Sequence, residues 1–160
     1  MAVQMILRLD DIGGESKKDG HAGEIDISSW NFGMTQSGTW HTGGGGGGGI
    51  VNMQDVTLTK AIDAASCDLM ARCCDGAHIP TGTLTVYKVG GTNLDYYKID
   101  LEKIIISSVQ TTGTAGGDDV IETVSLNFAV IKIKYKEQAD DGSAAAEYEM
   151  GFDVEQNIAV

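Results

Sequence analysis

The sequence is short of basic residues. Eleven Lys and Arg stand against twenty-three Asp and Glu among 160 residues, a formal charge of −12. A surface of that sign repels nucleic-acid backbones and anionic membranes, so neither is expected as a partner. The bases gather nowhere beyond Lys17-Lys18 and the spaced series Lys132, Lys134, Lys136. Long apolar runs are also missing: none approaches the roughly 18–20 residues that a spanning helix needs, so no membrane insertion is expected. The start, Met1 to Asp10, has neither a basic region nor an apolar core and does not read as a secretory signal peptide. This predicts a chain made and folded in the cytoplasm, whose export, if any, reads no N-terminal peptide. Cysteines are few and odd in number: Cys67, Cys73 and Cys74. A disulfide framework needs an even, spaced set, so all three read as reduced thiols.

What is present is ordinary for a soluble globular protein, 42% hydrophobic and 21% charged. The length predicts one domain over residues 1–160 and excludes a separate cofactor domain. Val3, Met5, Leu7 and Leu9 alternate with Gln4 and Arg8, the period of a half-buried strand. A polar loop, 10–23, follows. A second strand is predicted from about Glu24 to Gln36. Its apolar residues sit at odd positions (Ile25, Ile27) and then at even ones (Trp30, Phe32, Met34), so a bulge or bend is expected near Ser28-Ser29. Seven consecutive glycines, Gly43 to Gly49, predict a flexible loop. A third strand is expected over 50–62.

Ser66 to Gly76 reads as the one helix, with Ser66 as N-cap, Asp68 in the first turn and Gly76 as the stop. Cys67, Met70, Cys73 and Cys74 are expected to pack on one helix face. Further strands are predicted at 83–89, at 96–110 with Ile104-Ile105-Ile106 buried on both sides, at 120–136 with a second face swap near 129–131, and at 147–156. Strands following strands imply a mainly antiparallel fold. Long strands that swap faces are shared between two sheets at barrel corners. The expected architecture is therefore mainly β: a small antiparallel, closed or nearly closed barrel with one short helix and an extended glycine-rich loop.

Catalytic patterns are scarce. His21, His41 and His78 all fall in predicted loops, with no nucleophile motif beside them. Cys73-Cys74 with His78 lacks the second ligand pair of a structural zinc site. The glycine run ends in Ile50-Val51-Asn52 rather than Gly-Lys-Ser/Thr, so it is no phosphate loop. The acid pairs at 10–11, 118–119 and 140–141 lack a calcium-loop pattern. No cofactor and no metal are expected, and the chain does not read as an enzyme. A carboxylate pair converging in space stays open, because twenty-three acids make such convergence unspecific.

What remains is assembly. The strand around Ile104 and both halves of the strand over 120–135 carry more apolar surface than one small interior uses, so a helix or another subunit must cover the rest. A long glycine-rich hairpin arm is of the kind that orders against a neighbour.

The chain also resembles the haemolysin-coregulated protein (Hcp) family, the tube protein of type VI secretion. The resemblance rests on Gly14-Glu15-Ser16, on His21 with Glu24-Ile25-Asp26, and on Ser29-Trp30-Asn31-Phe32-Gly33 through Gln36-Ser37-Gly38. It continues through the glycine-rich arm, Val51-Asn52-Met53-Gln54-Asp55, Thr59-Lys60 and Ile62-Asp63. It closes with Ser107-Ser108-Val109, Glu122, Leu126-Asn127-Phe128-Ala129 and Gln156-Asn157. The set is collinear over nearly the whole chain. The glycine run is purer than in relatives, and Asn31 stands where they often have serine.

The resemblance implies a homohexameric ring of β-barrel subunits stacking into a hollow tube, with a contractile sheath around it and a spike protein at its tip. Small secreted effectors would ride in the lumen, and contraction would expel the tube from the cytoplasm into a neighbouring cell. The extended loop, with Ser37, Gly38, Thr39, Trp40, His41, Gly43, Gly46, Gly49 and Val51, would form the subunit or ring interface. Asn31 is the candidate lumen contact, being polar on the parity opposite Trp30. The alternative from a different class is a monomeric ligand-binding β-barrel, or a small hydrolase, with an unrecognised site.

Overall fold

The computed structural model describes residues 2–43 and 46–160. Its strands are β1 (Val3–Leu9), β2 (Ile25–Asp26), β3 (Ser29–Asn31), β4 (Met34–Gly38), β5 (Gly48–Met53), β6 (Val56–Ala61), β7 (Ile79–Lys88), β8 (Leu94–Thr112), β9 (Ile121–Asn127), β10 (Val130–Gln138), β11 (Ala144–Asp153) and β12 (Ile158–Ala159). One helix, α1 (Ser66–Asp75), and a 3-10 turn at Trp40–Thr42 complete it. Every strand pair is antiparallel.

Two sheets share β8. The first runs β12-β11-β10-β8-β7-β1-β2, and the second is β3-β6-β9 joined to the far half of β8. Residues of β8 up to Ile104 pair with β7 and β10; from Ile105 onward they pair with β9. The hand-over sits beside Lys103, whose φ of 53° is left-handed. Such a kink lets one strand twist from one sheet to the next.

No closed ladder forms among the described residues. The curl is completed by chain rather than by pairing. Ile27 N–H donates to Met5 O at the first sheet, and Ser28 N–H donates to Thr59 O at the second. The expected bend near Ser28-Ser29 is this crossing, which separates β2 from β3, and a second break at Phe32-Gly33 separates β3 from β4. The second expected face swap is likewise a change of sheet, since Phe128-Ala129 separates β9 from β10. The predicted strand over 50–62 is broken too, by Gln54-Asp55 between β5 and β6.

A single core fills the space between the sheets, built from Leu7, Leu9, Ile25, Leu58, Leu84, Ile99, Leu101, Ile104, Ile106, Leu126 and Ile131 among others. Ile104 and Ile106 are buried while Ile105 is only half-buried, so the triple isoleucine is one-sided. Helix α1 lays Leu69 and Cys73 against the core. Cys67 and Cys74 face outward, so the expected thiol face is corrected to Leu69, Met70 and Cys73. Ser66 does not cap the helix; Asp63 Oδ1 takes the Ala65 N–H at its start instead. At the other end Gly76, with φ 67°, closes the helix by donating to Arg72 O. That left-handed stop is the one the sequence requires.

Candidate functional site

Beyond the second sheet the chain leaves the core as a two-stranded arm. β4 pairs with β5, with Met34 opposite Met53 and Gly38 opposite Gly48. The expected loop is therefore a ribbon whose second strand uses Gly48 and Gly49. Gly44 and Gly45, in the middle of the predicted flexible run, lie outside the described residues. Near the tip Thr39 Oγ1 donates to Gly47 O at 2.8 Å, and the Trp40 ring lies against Gly46 where a Cβ would collide. Only glycine admits an indole at that approach.

The arm carries no formal charge: from Ile27 to Gln54 there is no Asp, Glu, Lys or Arg. It is also uncovered, with Trp40 81% and Ile50 75% exposed. Ser37, Gly38, Thr39, His41, Gly43, Gly46 and Gly49 are exposed and Val51 is half-buried. All the predicted arm residues thus sit on one projection.

The root of the arm is fixed. Gln54 N–H donates to Gly33 O across its base. Asp55 uses both carboxylate oxygens, one accepting from Ser107 Oγ at 2.6 Å and the other from Asn127 Nδ2 at 2.8 Å. Those partners sit on β8 and β9, so Asp55 ties the arm to the second sheet. Asn31, the lumen candidate, lies apart from the arm tip. It is exposed on β3 opposite Thr57, on the outer face of the second sheet, beside Ser125 across from Thr57. Trp30 points the other way and stacks on Tyr97 at 5.4 Å, packed against the core.

Beneath the arm-bearing sheet lies a buried polar cluster that the sequence reading missed. Lys60 and Glu122 are 1% and 0% exposed. Lys60 Nζ reaches Glu122 Oε2 at 2.6 Å and Asp63 Oδ1 at 2.8 Å. Ser66 Oγ donates to Glu122 Oε2 at 2.8 Å and accepts the Asp63 N–H. Glu122 Oε1 has no hydrogen-bond partner among the described residues. The signal was available, because Lys60 follows Val56 and Leu58 on the buried parity of β6, and Glu122 precedes Val124 and Leu126 on that of β9.

The outer face of the first sheet carries a polar groove of about 320 Å³, lined by Arg8, His21, Glu24, Lys98, Asp100 and Lys134 among others. His21 is more engaged there than a loop histidine was expected to be: it stacks on Tyr87 and pairs with Glu24 at 2.9 Å. Nearby, hydrogen bonds from Thr81 and then from Arg8 hold the Asp10 carboxyl below its usual range. Among the described residues no group of three His, Cys, Asp or Glu side chains is placed to hold a metal ion. No helix among them is long and apolar enough to cross a membrane.

Comparison with known proteins gives a consistent result. A family model described as the type VI secretion system effector Hcp matches residues 6–135. Protein hcp1 of Pseudomonas aeruginosa is 44% identical over 160 residues, covering 99% of each chain. The crystal structure of Hcp1 from Salmonella typhimurium superposes with a TM-score of 0.82 at 31% identity, covering all of both chains. A structure titled as a type six secretion system protein superposes with a TM-score of 0.94 at 25% identity, over 99% of this chain and all of that one.

Proposed function

This chain belongs to the Hcp family of type VI secretion proteins, and from that premise we propose that it is the structural subunit of the secretion tube. Six copies close a ring, and rings stack into a hollow tube that a contractile sheath expels behind a spike. Small effectors ride in the lumen before firing. The protein carries out no catalysis; its work is to assemble and to be ejected.

The observation that carries this reading is the arm. A lone two-stranded ribbon is marginal in water, yet this one projects uncharged and uncovered from a chain of charge −12. Copies that repel one another at long range meet most cheaply through uncharged surface. A projection on one side that fits a different patch of the next copy makes a heterologous contact, the kind that closes rings.

Deleting residues 43–49 leaves a folded subunit, because none of the described glycines among them belongs to the core, and abolishes rings or their stacking in negative-stain images. Normal rings and tubes from the deletion variant would contradict the role given to the arm. Asn31, polar and exposed on the outer face of the second sheet, is the proposed lumen contact. Asn31→Asp places a charge there and lowers effector retention in co-purification. Unchanged retention removes Asn31 from the lumen wall.

A further inference from the structure

The rows of side chains on the inner face of the first sheet run past the part that the second sheet covers. Leu9, Gly82, Leu101, Ile131 and Phe152 stand in one cross-strand row, and Leu7, Leu84, Ile99, Ile133 and Met150 in the next. Met5, Val86, Tyr97, Tyr135 and Tyr148 form the third. The first row is core. Toward β10 and β11 the outer rows emerge into solvent: Met150 is 38% exposed, Tyr135 42% and Tyr148 58%, with the two tyrosine rings stacked at 6.2 Å. No charged residue stands in any of the three rows. Of the charges of these strands, Lys132, Lys134, Lys136, Glu147, Glu149 and Asp153 lie on the opposite face, while Glu137 stands beyond the third row, where the register shifts between Lys136 and Gln138. A sheet face that is apolar, continuous with the core and open at its edge is a surface built to be covered.

We propose that this open face on β10 and β11 is the seat for the arm of a second copy of the chain. The inference rests on the assembly reading above and names the surface that receives the arm. Two features select the occupant. The arm and the three rows of the seat are free of charge in a chain carrying −12, so they can meet while the charged surfaces of the two copies stay apart. Each also supplies what the other lacks. The arm holds Trp40 and Ile50 with no core behind them, and the seat offers Tyr135, Tyr148 and Met150 with no cover. Aromatic anchors seated on an apolar patch are the usual centre of such contacts.

The test measures thiol access. Cys67, Cys73 and Cys74 are replaced by Ser, Tyr148 is replaced by Cys, and maleimide labelling is followed with and without residues 43–49. In the assembled full-length protein, labelling should be about tenfold slower than in the arm-deleted chain, because an interface core excludes solvent. Equal rates, with the full-length protein still assembled, overturn the seat and leave the assembly reading standing. A full-length protein that sediments as a monomer overturns both. As a second readout, Tyr135→Glu with Tyr148→Glu should keep the folded far-ultraviolet spectrum, since both rings are exposed, and lose assembly. A folded double variant that assembles normally also overturns the seat.

Discussion

The residue with the largest stake in the fold is Lys60. An ammonium taken wholly out of water survives only where its protons are met. Here Glu122, Asp63 and Ser66 meet them, and the Ser66 hydroxyl spends its one proton on Glu122 while accepting from the Asp63 N–H. The cluster joins β6, β9 and the start of α1, so it sets where the helix begins. Lys60→Met leaves the Glu122 carboxylate buried and without its cation, and should cost about 3–5 kcal/mol, read as a lower urea midpoint. Pairing it with Glu122→Leu should recover much of that loss, because an apolar pair suits the site better than a lone charge. A Lys60→Met protein within about 1 kcal/mol of the parent, on the scale of an ordinary surface change, would show that the cluster does not anchor the helix. This site was half legible in the sequence. A lysine and a glutamate on the buried parity of two strands mark the positions, but nothing in the order of residues says that β6 and β9 are neighbours. The Ser66 hydroxyl, expected to cap the helix, is drawn instead into that network.

At the scale of elements, the sequence revealed changes of sheet as changes of parity. Ile25 and Ile27 against Trp30 and Phe32, and Val124 and Leu126 against Ile131 and Ile133, each mark a switch that the structure makes. Periodicity could not show that the chain breaks there, because the strands on either side remain extended. Nor could it show that β8 is the strand both sheets share, since its kink at Lys103 leaves no compositional mark. The arm was legible as a hairpin but not in the extent of its pairing: a glycine run reads as loop, while the pairing that carries β5 back to Gly48 depends on backbone alone. Asp55 is the joint between arm and body. Asp55→Ala removes two hydrogen bonds at the root and should lower stability by about 1–3 kcal/mol. Its larger effect falls on assembly, where the ring population at a fixed concentration should drop because the arm no longer leaves the sheet in one direction. A loss of stability with assembly untouched would make Asp55 a fastening of the fold only.

For the whole molecule, charge and apolar surface pull in opposite directions. A net −12 keeps copies apart at low salt, while an uncovered arm and an open sheet edge favour bringing them together. Both terms are visible in the composition and the strand pattern, but their placement on different surfaces is visible only in the fold. Added salt screens the repulsion, with a Debye length of about 8 Å at physiological strength, and leaves the apolar contact intact. The most direct test is sedimentation velocity of the purified full-length protein at micromolar concentration in physiological salt. A closed ring predicts one species at six times the 16.9 kDa chain mass, with annular particles of the same sample on a grid. A single species at the chain mass, with no annuli, would contradict it.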